Sequence, residues 1–98
     1  MRGRPHKIRI IRKDPAIKQF SPRGRAGRPG YAWLKYEEFE AIRLSDHVGL
    51  DQKESARFMG ISQQTFSRLI KSARKTLAKA LVKGEIIEID GGHYTVAK

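Results

Sequence analysis

The sequence predicts a mainly α fold: a three-helix helix-turn-helix domain with a basic extended N-terminal arm and a small C-terminal β-hairpin. Three observations lead to this fold class. Small, glycine and apolar residues are spaced as in two short helices joined by a tight turn, and residues 63–83 contain neither glycine nor proline, which favours one long helix. Basic residues are concentrated in residues 1–30, so we place the arm there and the helical domain with its hairpin in residues 31–98.

The arm is too rich in proline to form a long helix. Residues 1–30 hold all four prolines of the chain, together with ten basic residues and a single acid, Asp14. Residues 7–12 (KIRIIR) contain three β-branched isoleucines, so a short strand is expected there, with the C-terminal strands as its candidate partners.

Two pieces of the arm resemble the core of the AT-hook, a basic element that lies in the minor groove of A·T-rich DNA. They are Arg2-Gly3-Arg4-Pro5 and Pro22-Arg23-Gly24-Arg25. Glycine lets the backbone approach the groove floor, and the flanking arginines follow its negative potential. The alternative is a solvated basic tail that contacts phosphates without a fixed register.

The first helix is predicted over residues 35–47. Apolar residues recur there at three- and four-residue spacings, glutamates stand near the start, and Gly49 follows the end. Glu40, Arg43 and Asp46 stand three apart, so we expect them to pair along this helix.

The second helix and the turn after it carry the helix-turn-helix pattern. Asp51 and Glu54 have the spacing of a capping box that opens a short helix, and Gly60 ends that helix with the positive φ that a tight turn needs. The pattern as a whole consists of Ala56, Gly60, Ile61, Phe66 and Leu69. A small residue lets the two helices cross closely, and the apolar residues fill the wedge between them.

The third helix is predicted over residues 63–83, with Ser62 as its N-cap and Gly84 as its stop. At about 100° per residue, one side is apolar and the other is cationic. The apolar side comprises Phe66, Leu69, Ile70, Ala73, Leu77, Ala80 and Leu81. The opposite side comprises Gln64, Arg68, Lys71, Lys75 and Lys79.

The start of this helix combines polar and cationic side chains suited to double-stranded DNA. Glutamine can pair with adenine and arginine with guanine in the major groove. We therefore assign base-edge contacts to Gln63, Gln64, Ser67 and Arg68. Ser62 and Thr65 near the helix start are expected at phosphates or base edges, and Lys71, Arg74 and Lys75 at phosphates.

After Gly84, two short β-prone runs are predicted to form a hairpin. They span residues 85–89 and 94–97 and are joined by Asp90-Gly91-Gly92-His93. Because an isolated hairpin is marginally stable in water, it must pack on the third helix, on the arm or on a second subunit. A homodimer is therefore one of the open alternatives.

The composition of the chain limits the classes of function that the protein can have. The chain has 98 residues, a net charge of +11 and no cysteine, which suits a polyanion-binding protein and excludes disulfide scaffolds and thiolate metal sites. No apolar run is long enough for a membrane span, so we expect a cytoplasmic protein without membrane contact. His6, His47 and His93 lack metal-ligand spacing and no glycine loop cradles phosphate, so no enzyme activity, metal or cofactor is expected.

Several stretches together resemble a known family. They are residues 20–24 (FSPRG), 38–46 (EFEAIRLSD), 52–60, 62–68, 73–74, 80–81 and 91–94 (GGHY). The sequence resembles the small prokaryotic proteins of domain-of-unknown-function family 134, which are described as predicted DNA-binding proteins. Its helix-turn-helix part is also similar, more distantly, to region 4 of the bacterial sigma factors, which reads promoter DNA in the major groove. This resemblance places Ser62, Gln63, Gln64, Ser67 and Arg68 at the DNA face.

Two alternatives to a transcriptional regulator remain open. A basic RNA-binding or ribosome-associated protein would have the same charge, although Tyr31, Trp33 and Tyr36 are expected outside any strand that would display them to bases. We expect these three residues to pack the arm onto the first helix instead. The other alternative is an interaction module that docks on the transcription machinery, with RNA polymerase as its partner.

Overall fold

The computed structural model describes residues 8–24 and 27–97, which form three helices and five short strands. In chain order the strands are β1 (Arg9–Ile11), β2 (Gln19–Phe20), β3 (Tyr31–Leu34), β4 (Ile86–Ile89) and β5 (Tyr94–Val96). The helices are α1 (Tyr36–Ile42), α2 (Gln52–Met59) and α3 (Gln63–Lys83), and α1 continues directly into a π-helical segment, Arg43–Val48.

Helices α2 and α3 begin and end where their local signals predict, whereas the first helix, predicted over residues 35–47, is α-helical only to Ile42 and π-helical from Arg43 to Val48. The Asp51 carboxylate accepts the Glu54 backbone N–H at 2.8 Å, and the Ser62 hydroxyl accepts that of Thr65 at 3.0 Å. Gly60 ends α2 with φ 68° and Gly84 ends α3 with φ 63°, both in the left-handed region. Only half of the predicted capping box forms, because the Glu54 side chain binds Arg57 instead.

The strands form two small sheets that join the two ends of the chain. β1 pairs with β5 in parallel, with Arg9 opposite Tyr94 and Ile11 opposite Val96. The second sheet has the order β2-β4-β3, in which β2 is antiparallel and β3 parallel to β4. The short strand expected in residues 7–12 and its pairing near the C-terminus are therefore confirmed.

The predicted C-terminal hairpin is wrong, since β4 and β5 lie in different sheets. The linker between them is bound to α1 instead of turning back on itself: the Tyr36 N–H donates to the Gly91 carbonyl at 3.1 Å, and the His93 N–H donates to the Glu37 carboxylate. Both strands take partners from the N-terminal part of the chain, no later than Leu34. The fold is accordingly a mixture of helices and strands rather than mainly α.

Two apolar clusters form the core, and α3 contributes to both. One holds the helical segments together and consists of Ala41, Leu44, Ala56, Met59, Ile61, Phe66 and Ile70. The other joins the strands to the helices and consists of Ile11, Leu34, Tyr36, Ala73 and Ile89. Leu81 was expected on the buried side of α3 but is 80% exposed. One helical step of about 100° separates it from buried Ala80 and turns its side chain to solvent.

The aromatic residues before α1 also differ from expectation. Tyr31 and Trp33 lie on β3, where they are exposed and stack with ring centroids 5.3 Å apart. Only Tyr36 is buried, and it stacks on Tyr94 of β5 at 4.6 Å. Tyr31 and Trp33 therefore form a displayed pair on the outer face of the second sheet.

A buried carboxylate fixes the end of β1 to α1. The side chain of Glu40 is fully buried, and its oxygens accept two hydrogen bonds from the Arg43 guanidinium at 2.8 and 2.9 Å. One of them also accepts the backbone N–H of Arg12 at 2.8 Å. Since a buried charge is tolerated only when it is paired, Glu40 is a structural anchor between the N-terminal segment and the helices.

Candidate nucleic-acid interface

The first half of α3 presents most of the predicted contact residues to solvent. Its buried side chains, Phe66, Ile70 and Ala73, hold the helix on the core from behind. The opposite face is exposed and carries Gln63, Gln64, Ser67, Arg68, Lys71 and Lys75. At about 100° per residue, Gln64, Arg68, Lys71 and Lys75 fall within about 60° of one another. The geometry thus brings one amide and three cationic side chains onto one outward-facing strip.

Ser62 and Thr65 are engaged with each other at the start of α3. The Ser62 hydroxyl accepts the Thr65 backbone N–H and donates to the Thr65 hydroxyl oxygen at 2.9 Å. Ser62 is exposed and Thr65 half-buried. The pair fixes the helix start, and each hydroxyl oxygen keeps capacity for an outside partner.

Arg74 is the predicted phosphate-binding residue whose charge is already compensated. Its guanidinium donates two hydrogen bonds to the Asp46 carboxylate, at 2.7 and 3.1 Å. These bonds lower the pKa of Asp46 below its usual 3.8 and raise the pKa of Arg74. Asp46 therefore pairs with α3 and not with Arg43, which was the expected partner within its own helix. Of that predicted series, only the Glu40–Arg43 pair forms.

The structure places one of the four predicted arm arginines. Arg23 follows β2 and is exposed. Arg2, Arg4 and Arg25 lie outside the described residues.

Two cations that the sequence did not single out lie next to this strip. A groove runs beside the first half of α3, between that helix and the junction of β3 with α1. Its lining residues are Arg9, Lys35, Glu38, Thr65, Arg68, Leu69 and Ser72. Arg9 and Lys35 also line the adjoining recess in front of Glu37, Gly92 and His93. No local pattern marks Arg9 or Lys35, because only the long-range pairing of β1 with β5 brings Arg9 to α3.

The carboxylates of this groove and of the adjoining recess are turned inward and bound. Glu38 is buried, and its oxygens accept the Lys35 N–H at 2.9 Å and the Ser72 hydroxyl at 2.6 Å. Glu37 is buried as well and accepts the His93 N–H. Hydrogen bonds from within the protein thus satisfy both acids, and the exposed charge of the groove is cationic.

Within residues 8–24 and 27–97, no group of three or more His, Asp or Glu side chains is arranged to hold a metal ion. None of the helices in this part of the chain is both long and apolar enough to cross a membrane.

Comparison with known proteins identifies relatives along almost the whole chain. The family "Protein of unknown function DUF134" matches residues 1–97. A UPF0251 protein of Methanococcus maripaludis is 41% identical over 97% of this chain and 74% of its own length. A UPF0251 protein of Thermoanaerobacter pseudethanolicus is 45% identical over 95% of this chain and 80% of its own length. No solved structure matches significantly. The chain belongs to the DUF134 family.

Proposed function

We propose that the protein is a sequence-specific double-stranded DNA-binding protein that regulates transcription, in which α2 and α3 form a helix-turn-helix and residues 63–75 enter the major groove. The observation that carries this proposal is the outward strip of α3, where glutamine, arginine and lysine side chains are exposed on a helix fixed by its buried side. The net charge of +11 supplies the general attraction to the DNA backbone.

The dimensions of α3 match the major groove. The groove is about 12 Å wide and accepts one α-helix. Gln64 and Arg68 are one turn apart, so their Cα atoms are separated by about 6 Å along the axis, close to the rise of two base pairs. Bases lie within reach of the first turns only, and the later turns of the 21-residue helix pass out of the groove.

Each predicted residue has a role in this arrangement. We assign base edges to Gln63, Gln64, Ser67 and Arg68, phosphates to Lys71, Arg74 and Lys75, and phosphates or base edges to Ser62 and Thr65. The arm arginines Arg2, Arg4, Arg23 and Arg25 would bind phosphates or the minor groove.

A second candidate, RNA binding, is favoured by one observation. Tyr31 and Trp33 form a stacked, exposed aromatic pair on β3, and such pairs are platforms on which unpaired bases stack. The strand arrangement thus supplies the display that the sequence alone did not predict.

Selection of bound duplexes from a random library tests the proposal. We expect a reproducible motif, and we expect Gln64→Ala or Arg68→Ala to relax the preference at particular base pairs by about 1–3 kcal/mol. Val82→Ala is the matched control, because Val82 has the angular position of Gln64 but lies about 27 Å further along α3. Preference for structured RNA would support the second candidate, and absence of nucleic-acid affinity at low salt would contradict both.

A further inference from the structure

The groove beside α3 indicates unequal contacts with the two strands of the DNA backbone. We propose that this groove binds the sugar-phosphate backbone of one DNA strand, with Lys35 and Arg9 as phosphate-binding residues outside the helix-turn-helix. This inference rests on the proposed function, and it adds a contact surface contributed by β1 and the start of α1.

The groove lies on the correct side of α3 for this role. Counting about 100° per residue from Gln64, Arg68 stands at about 40°, Ser72 at about 80° and Thr65 at about 100°. The groove residues of α3 therefore occupy the flank directly beside the base-reading strip. When a helix lies in the major groove, each of its flanks faces one of the two backbone strands.

The cationic side chains on this flank of α3 favour binding of the anionic DNA backbone. Arg9, Lys35 and Arg68 line the groove, and Lys35 is exposed. The acid that lines the groove, Glu38, is buried and is bound by the Lys35 backbone N–H and the Ser72 hydroxyl. A phosphate in the groove would meet cationic side chains, while the carboxylate stays behind them.

The opposite flank of α3 has a different charge balance. Arg74 stands there, and it is bound through two hydrogen bonds to Asp46. A phosphate would have to displace that carboxylate to use the full charge of Arg74. The two flanks are thus unequal, because Lys35 and Arg68 on the β1 side form no ion pair with any of the described residues.

Lys35 is the side chain best suited to a test. It is exposed, and its backbone is held independently by Glu38, so its side chain can be changed without disturbing the core. Arg9 is half-buried in β1, and its backbone N–H donates to the His93 carbonyl at 3.1 Å, so substitution there also affects the strand. Lys83→Gln is the matched control, since it removes the same charge about 17 Å further along α3 than Ser72.

The experiment measures binding of the selected duplex, a scrambled duplex and an RNA hairpin by fluorescence anisotropy over a range of salt concentrations. Lys35→Gln should weaken both duplexes by about fivefold and reduce the slope of log affinity against log salt by about one. Lys35→Arg should restore both quantities, and the preferred base sequence should not change.

Several outcomes would overturn the inference while leaving the proposed function intact. These are a Lys35→Gln variant that behaves like Lys83→Gln, a Lys35→Gln variant that selects a different base sequence, or a loss confined to RNA hairpins. Failure of the wild-type chain to bind any duplex would instead contradict the proposed function itself.

Discussion

Ser55 is a polar residue at a buried position of α2. It is fully buried in α2, and its hydroxyl has no hydrogen-bond partner among the described residues. An unpaired buried hydroxyl is costly, so Ser55→Ala should raise the free energy of unfolding by about 1–2 kcal/mol. Urea denaturation measures this change. Ser67→Ala on the exposed face of α3 controls for the helix propensity of the same exchange, and an equal gain in both variants would contradict the prediction.

The sequence predicted that Gly60 forms the turn between α2 and α3, but it did not predict that the Ile10 side chain lies next to this turn. Its φ of 68° is required by the turn between α2 and α3, while a Cβ there would lie 3.1 Å from Cδ1 of Ile10. Gly60→Ala should therefore destabilise the fold by more than the roughly 1–2 kcal/mol of a left-handed alanine, and the larger Gly60→Val should prevent folding.

The control for Gly60 is Gly49→Ala. Gly49 has φ 93°, and a Cβ at this position would have no neighbouring atom within 4 Å in the described part of the chain, so the variant measures the backbone cost alone. Equal losses of denaturation free energy for the two alanine variants would show that Ile10 does not crowd the turn.

At the scale of elements, the contact between the π-helical segment and α3 includes an exposed ion pair between Asp46 and Arg74. Because Arg74 lowers the pKa of Asp46, the pair stabilises the folded state at pH values above the usual 3.8 and loses that contribution as the pH falls through the lowered value. Asp46→Asn should therefore be less stable than the wild type at neutral pH, by the small amount typical of exposed pairs. The difference between the two proteins should vanish in acid, and a constant difference in thermal denaturation across this range would contradict the prediction.

Helices α2 and α3 were predictable because their signals are local. The N-caps Asp51 and Ser62 stand directly before α2 and α3, and the glycines that end these helices, Gly60 and Gly84, stand directly after them. The strands were only partly predictable: the pairing of β1 near the C-terminus was expected, whereas β2 and β3 are defined by their pairing with β4, which lies far along the chain. The two glycines after Asp90 favour a hairpin locally, and the hydrogen bonds of Gly91 and His93 to α1 override that preference.

The candidate site was likewise predictable only in part. The outward strip of α3 followed from helical periodicity, and the exposure of Gln64, Arg68 and Lys71 agrees with it. Lys35 and Arg9 could not be predicted as site residues, because no local sequence pattern distinguishes them from the other cations of a basic chain. Only the tertiary structure brings them together in the groove. The same holds for the ion pair of Arg74, whose partner lies on another helix.

For the whole molecule, the N-terminal segment is partly structural, and this changes how its contribution to binding must be measured. Ile11 is fully buried in the core, and the Arg12 N–H is bound by Glu40. Deletion of residues 1–13 should therefore lower the free energy of unfolding by several kcal/mol, comparable to the loss of a large core side chain. Deletion of residues 1–7 retains these contacts and is the matched control, and equal stability of the two truncated chains by urea denaturation would contradict the prediction.

The parallel pairing of β1 with β5 also has a consequence for synthesis on the ribosome. The first strand leaves the exit tunnel early, and its partner is translated among the last residues of the chain. Closure of that sheet must therefore wait until β5 has been synthesised and has left the tunnel, and the nascent chain carries β1 without this partner until then.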